Sequence, residues 1–280
     1  MNLRLLTEDS QTMTTAAASY SEPTIPSLTI TGAVATIQLN RPTKMNRIEP
    51  ADLETLAAHF ANIETDERVR VVILTGTGRV FSAGYHIGDL DDQKSGRKSA
   101  PKEKTVSFED VANAVESCRA PTICALNGSV YGGATDLALA CDFRIGIAGS
   151  ELVMPAAKLG VHYYLSGMQR YVTRLGLAAA KRLFLSARPI DSTEMLRIGY
   201  LDEALEVTEL QENVDALATT LAGNAPLSVR HMKRALNQIA RNDVDLEQFE
   251  AGHKACSDSI DLAEGISAWK ARRKPEFKGL

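Results

Sequence analysis

Residues 127–136 read Asn127, Gly128, Ser129, Val130, Tyr131, Gly132, Gly133, Ala134, Thr135, Asp136, and an apolar helical run begins where the paired glycines end. Glycines permit turns and close ligand approach that a Cβ forbids. A helix starting at this point aims unpaired N–H groups and its positive end at whatever lies in front of it, which is the arrangement of an oxyanion site. Asp136, about one turn in, faces the same pocket in this reading. Taken alone, a glycine pair before a helix is more often a tight connection, and an acid is common in a first helical turn. The rest of the chain has to decide between the two.

The periodicities predict alternating strands and helices. Residues 28–30 and 34–39, joined by Thr31 and Gly32, pattern as a hairpin, and Leu53, Leu56, Phe60 and Ile63 fall on one face of a helix opening near Pro50. Residues 69–74 form an apolar run suited to a buried strand, ended by Thr75, Gly76, Thr77 and Gly78 ahead of Val80, Phe81, Ser82, Ala83, Gly84, Tyr85 and His86. The charged segment 91–98 reads as a solvated loop whose place also suits a substrate-gating lid. It leads to a helix over 108–117, a strand over 121–126, a helix over 135–140 and a strand over 143–148. Beyond Ser166 the character is helical, with capping boxes at 191–194 and 208–211 and a final amphipathic helix marked by Leu262, Ile266 and Trp269.

Composition removes several classes. At 280 residues and 44% hydrophobic the chain can bury a large core, and a net charge of −4 provides no basic footprint for nucleic acid. No apolar run approaches the roughly 20 residues that span a bilayer. Cys118, Cys124, Cys141 and Cys256 form no CxxC pair, and the five histidines make no metal-binding spacing, so neither a disulfide framework nor a metal site is expected. Residues 1–24 lack the continuous apolar core of a secretory signal and are read as a disordered leader from an upstream start, which leaves the cytoplasm as the expected compartment.

The strand at 69–74, the Phe81–Ser82–Ala83–Gly84 turn and the later glycine pair with its acid together resemble the enoyl-CoA hydratase/isomerase, or crotonase, superfamily. Further supports are Leu39–Asn40–Arg41–Pro42 with Asn46, Ala140–Cys141–Asp142–Phe143–Arg144, Pro155 with Leu159–Gly160, Gly167–Met168–Gln169–Arg170, and the tail 272–277. The resemblance implies an α/β fold, a crotonase-type spiral of repeated ββα units over 25–205 followed by a C-terminal helical trimerisation region over 206–280. It implies a homo-oligomer, a trimer or a dimer of trimers, acting on acyl-CoA thioesters with no cofactor beyond the substrate's own coenzyme A. The oxyanion donors become the amides of Tyr85 and Gly133. Ala83, Tyr131, Gly132, Ala156 and His162 become substrate-binding positions. Arg41, Lys44 and Met45 match the segment that contacts the CoA nucleotide, and Lys274 and Phe277 match the tail that reaches it from a neighbouring subunit.

Departures from the pattern bear on the reaction. Hydratases of the family hold a water between two glutamates; here the first position is Asp136 and the second is Ala156, which transfers no proton. A positioned acid or base contributes about 10²- to 10⁴-fold, so the substitution disfavours simple hydration. The runs 128–134 and 159–167 most resemble the methylmalonyl-CoA decarboxylase branch, which has a tyrosine at the place of Tyr163 and usually a histidine where this chain has Tyr85, with His86 one residue on. The leading expectation is an enzyme that stabilises a thioester enolate for decarboxylase, lyase or isomerase chemistry, with Asp136 as general acid/base and Tyr163 or His86 orienting the reactive group. Alternatives are a CoA-thioester or β-diketone hydrolase in which His86 or Asp136 activates water, and an acyl-CoA-binding protein without turnover.

Overall fold

The computed structural model describes residues 24–86 and 105–280. The expected leader, apart from Thr24, and the charged segment 91–98 lie outside the described residues. Strands β1 (Ser27–Thr31) and β2 (Val34–Leu39) form the expected antiparallel hairpin, with Ala35, Ile37 and Leu39 buried and their alternating neighbours half-exposed. Helix α1 (Pro50–Thr65) opens on its proline and buries Leu53, Leu56, Phe60 and Ile63. Strand β3 (Val71–Gly76) begins two residues later than its apolar run, because the Val69 amide donates to the Asp66 carbonyl at 2.9 Å in a turn.

From β3 onward the chain repeats one manoeuvre. Strands β3 and β4 (Val80–Ser82) precede helix α2 (Phe108–Ser117); β5 (Thr122–Leu126) and β6 (Ser129–Tyr131) precede α3 (Ala134–Ala140). Then β7 (Phe143–Ile147) and β8 (Glu151–Val153) precede a 3-10 turn, Ala156–Leu159, and helix α4 (Leu165–Ser186), which kinks at Gly176. With β9 (Ile190–Asp191) and β10 (Glu203–Leu205) completing the edges, the first strand of each repeat joins a six-stranded sheet, β1-β2-β3-β5-β7-β10. The second joins a four-stranded sheet, β4-β6-β8-β9. This is the α/β spiral of ββα units.

The unbroken apolar run of β3 follows from burial on both faces, as in parallel sheets generally. Val72 and Leu74 enter the main core with α1, α2 and α3, whereas Val71 and Ile73 meet Leu210, Val214 and Ala218 of α6 (Leu210–Ala222), which follows the short helix α5 (Ser192–Arg197). The cap of α6 differs from expectation. Residues 206–209 close their own turn, the Glu209 amide donating to the Glu206 carbonyl at 2.9 Å, so the helix starts after Glu209 and Thr208 caps nothing. Helices α7 (Pro226–Arg241), α8 (Leu246–Ser257) and α9 (Ile260–Ala271) complete the chain. α7 buries no residue, and α9 turns Leu262, Ile266 and Trp269 outward. No helix among the described residues is long and apolar enough to cross a membrane.

Candidate active site

Strands β4, β6 and β8 are parallel neighbours, so the turns that leave their carboxyl ends share one edge of the sheet. Those turns hold Gly84 and Tyr85, then Gly132 and Gly133, then Pro155 and Ala156. The carboxyl edge of parallel strands is where α/β sheets commonly bind ligands. Gly84 has φ of 86°, and a Cβ on it would lie 2.5 Å from the Tyr131 carbonyl oxygen and 3.2 Å from the Gly133 nitrogen. The first two turns are therefore in direct backbone contact, and only glycine fits between them. The Gly132 amide donates to the Val153 carbonyl at 2.9 Å, which ties the second turn to the strand leading into the third.

Asn46 sets the position of the first turn. Its side-chain amide donates to the carbonyls of Thr77 and Val80, each at 2.8 Å, its side-chain oxygen accepts from the Arg41 amide, and its carbonyl accepts the Ser82 hydroxyl at 2.7 Å. The segment beside it runs parallel to residues 84–86: the Ile48 amide donates to the Gly84 carbonyl at 2.9 Å, and the His86 amide to the Ile48 carbonyl at 3.0 Å. Because backbone groups alternate along an extended chain, the Tyr85 N–H between these two bonds points away from that segment. The Gly133 amide stands at the head of α3 and donates to no group among the described residues. The Phe108 ring lies within 3.1 Å of where a Gly133 Cβ would sit, and it meets the Tyr85 ring edge-on at 6.0 Å. An apolar wall thus stands beside both backbone amides, and donors in such surroundings stabilise developing charge more than they do in water.

The start of α3 is braced from below by two fully buried tyrosines. The Thr135 hydroxyl donates to the Gly132 carbonyl at 2.6 Å, the Tyr171 hydroxyl to the Thr135 oxygen at 2.5 Å, and the Tyr200 hydroxyl to the Thr135 carbonyl at 2.8 Å. Asp136 follows at once. Its carboxylate is 0% exposed and doubly bonded to Arg170, Nε to Oδ1 at 3.0 Å and Nη2 to Oδ2 at 2.9 Å; Oδ2 also accepts the Tyr164 hydroxyl. The Tyr163 hydroxyl donates to that of Tyr164 at 3.2 Å, and their rings stack at 4.3 Å. Gly167 makes room, since a Cβ there would come within 2.5 Å of the Tyr163 ring and 2.7 Å of the Tyr164 ring.

Arg170 is shared. Its Nη1 donates to Asn113 Oδ1 at 3.0 Å and to Glu116 Oε2 at 2.8 Å, and Glu116 also accepts from Arg174 at 3.2 Å and from Arg241. Burial lowers the Arg170 pKa, but its bonds to Asp136 outweigh that and leave it raised; Arg174, desolvated and close to Arg144, is pulled down to about 10. Burial and the Asp136 charge push the Tyr163 and Tyr164 hydroxyls well above their ordinary value, so both keep their protons.

Residues 29–280 match the sequence profile of the enoyl-CoA hydratase/isomerase family. The chain belongs to this family. It is 31% identical over 250 residues to the short-chain-enoyl-CoA hydratase of Clostridium acetobutylicum, covering 88% of this chain and 94% of that one. It is 29% identical over 252 residues to the methylmalonyl-CoA decarboxylase of Escherichia coli, covering 88% and 95%. The crystal structure of an enoyl-CoA hydratase/carnithine racemase from Magnetospirillum magneticum superposes with a TM-score of 0.84 at 28% identity, covering 93% of this chain and 98% of that one.

Within this enoyl-CoA hydratase/isomerase fold, the structure gathers Gly84, Tyr85, Tyr131, Gly132 and Gly133 at one sheet edge and Asp136, Tyr163 and Tyr164 in one hydrogen-bonded group. The Ala156 turn closes on itself, as the Val161 amide donates to the Ala156 carbonyl at 2.9 Å immediately before His162. His162 is exposed and its Nδ1 lies 2.9 Å from the Tyr163 carbonyl, outside the Asp136 group. Arg41 holds Asp52 through two bonds of 2.9 Å, which commits it to the head of α1, while Lys44 and Met45 stay about half exposed. Phe277 packs beside Gly265 and its carbonyl accepts from Arg70 at 2.8 Å; among the described residues no hydrogen bond or ring contact links Lys274 or Phe277 to the Asp136 group. The residues that sequence reasoning missed are Arg170, Glu116, Phe108 and the bonding role of Tyr164. Arg170 closes the Gly167–Met168–Gln169–Arg170 run, and the further signal in the sequence is the spacing of Asn113 and Glu116 on one face of α2.

Proposed function

We propose that the chain acts on an acyl-CoA thioester, holding its carbonyl oxygen between the Tyr85 and Gly133 amides while negative charge builds on it. The reaction is a lyase or isomerase step, decarboxylation included, rather than simple hydration, and it uses no group besides the coenzyme A of the substrate. The single observation that carries this reading is Ala156, which opens the 3-10 turn following β8 at the same sheet edge as the two glycine turns and brings no carboxylate to it. Hydration needs one group to activate water and another to protonate carbon. Enolate formation needs the oxyanion donors, each worth about 3 kcal/mol, and one route for a proton. A hydratase and a decarboxylase are similar to this chain at 31% and 29% identity, so identity does not choose between them. The hydrolase alternative is left to His86, because the Asp136 carboxylate has no exposed surface on which to hold a water.

Assembly belongs to the same proposal. Trp269 is 86% exposed and shares the outward face of α9 with Leu262 and Ile266 beside a groove lined by Ala225, Cys256 and Phe277, a surface suited to packing between copies in a trimer or a pair of trimers.

The test compares wild type with Ala156→Glu on crotonyl-CoA and methylmalonyl-CoA, with products followed by mass spectrometry. The expected outcome is that wild type hydrates crotonyl-CoA far below about 10 s⁻¹, an ordinary enzyme rate, and that the variant gains hydration at the expense of the second reaction. Wild-type hydration at or above about 10 s⁻¹ would contradict the reading of Ala156.

A further inference from the structure

Asp136 is the only side chain that the family pattern offers as an acid/base here, yet it is sealed in: 0% exposed, with Arg170 on both oxygens and Tyr164 on Oδ2. The direction of the hydrogen bonds leading outward from it follows from chemistry. Arg170 donates to both carboxylate oxygens, so these accept, and the single proton of the Tyr164 hydroxyl points at Asp136 Oδ2. Tyr164 then has only lone pairs left for its neighbour, and Tyr163 must be the donor between them at 3.2 Å. Tyr163 in turn has only lone pairs left to offer. The chain is therefore polarised from Tyr163 through Tyr164 to Asp136, and its outer members are half-buried while its inner one is buried completely.

We propose that Asp136 exchanges protons with the acyl group through the Tyr164 and Tyr163 hydroxyls rather than by touching it. In the abstracting direction the α C–H bond breaks, its electron pair remains as the enolate of the thioester, and the proton goes to the Tyr163 oxygen. Tyr163 passes its own proton to Tyr164, and Tyr164 passes its own to Asp136 Oδ2. Both tyrosines end as they began, Asp136 is neutral, and reversal returns the proton to carbon. Glu116 makes the neutral state of Asp136 tolerable. Arg170 already donates to Glu116 at 2.8 Å, so it keeps a counter-charge when Asp136 loses its own. Tyr164 is thus a relay group as well as a packing aromatic, stacked on Tyr163 at 4.3 Å in space that Gly167 leaves open.

The inference rests on the enolate-forming function proposed above. The experiment is incorporation of deuterium from D2O into the α position of propionyl-CoA by the full chain, followed by mass spectrometry alongside the Kd of that ligand. Wild type should catalyse exchange. Tyr164→Phe, which removes one oxygen and keeps the ring, should slow exchange by about 10²-fold while leaving the Kd within a few-fold, and Tyr163→Phe should do the same. Tyr164→Phe combined with Asp136→Asn should be no slower than the slower single variant, because both break one path. Wild-type exchange in Tyr164→Phe, or multiplying losses in the double variant, would overturn the relay and leave the enolate function standing. Wild type that binds propionyl-CoA but exchanges nothing would overturn the enolate function and the relay with it.

Discussion

The two halves of the site are made of different material. Around Gly84 and Gly133 the groups proposed to hold the ligand are backbone amides, and the sequence requirement at Gly84 is for a side chain to be absent, since a Cβ there would sit 2.5 Å from the Tyr131 carbonyl oxygen. Around Asp136 the working groups are side chains drawn from α2, α3, α4 and α7, with two carboxylates and three guanidiniums in contact. The backbone half depends on the course of the chain and is indifferent to the identity of residue 85. The side-chain half depends on every partner, because an ion buried without its counter-charge is far costlier than a satisfied pair.

Breaking the side-chain half should therefore have the larger effect on stability. Arg170→Met removes the shared cation and leaves the Asp136 and Glu116 carboxylates buried with fewer partners, which should cost about 3–5 kcal/mol, read as a lowered denaturation midpoint in urea. A loss within experimental error would mean that the cluster contributes nothing to holding α2, α3 and α4 together. The backbone half should show the opposite balance. Gly84→Ala forces an L-residue to φ of 86° against the Tyr131 carbonyl, a strain of about 1–3 kcal/mol. It should reduce turnover by roughly 10²- to 10³-fold if the Tyr85 amide is displaced from the oxyanion position. Turnover that survives Gly84→Ala would place the oxyanion donors elsewhere.

The same contrast explains what was legible in the sequence. A glycine is an unambiguous instruction about backbone, so Gly84, Gly132 and Gly133 marked their turns without any knowledge of the fold, and the apolar run at β3 announced a strand buried on both faces. The four-stranded sheet was much harder to see. Strands β4, β6, β8 and β9 are at most three residues long, too short for any alternation to accumulate. The ion cluster was less legible still. Arg170 meets Glu116 across 54 residues and Glu116 meets Arg241 across 125, and no local pattern encodes a contact at that separation. Asp136 accordingly read as a lone carboxylate in a helix start, when its place in the molecule is the inner end of a chain of hydroxyls.

The outward face of α9 shows where periodicity stops being informative. Leu262, Ile266 and Trp269 have helical spacing, and the reading of an amphipathic helix was right about the element. Within one chain, however, that stripe faces away from the core. Periodicity reports that a face is apolar and does not say which surface covers it.

The central claim is that two backbone amides, those of Tyr85 and Gly133, hold the oxygen of an acyl-CoA thioester. A crystal structure with a non-hydrolysable acyl-CoA thioether or ketone analogue tests it most directly. The account predicts the carbonyl oxygen, or its ketone counterpart, at about 2.7–3.1 Å from both nitrogens, with the acyl chain running towards Tyr163 and no contact between ligand and the Asp136 carboxylate. A ligand bound with that oxygen away from both amides would contradict it.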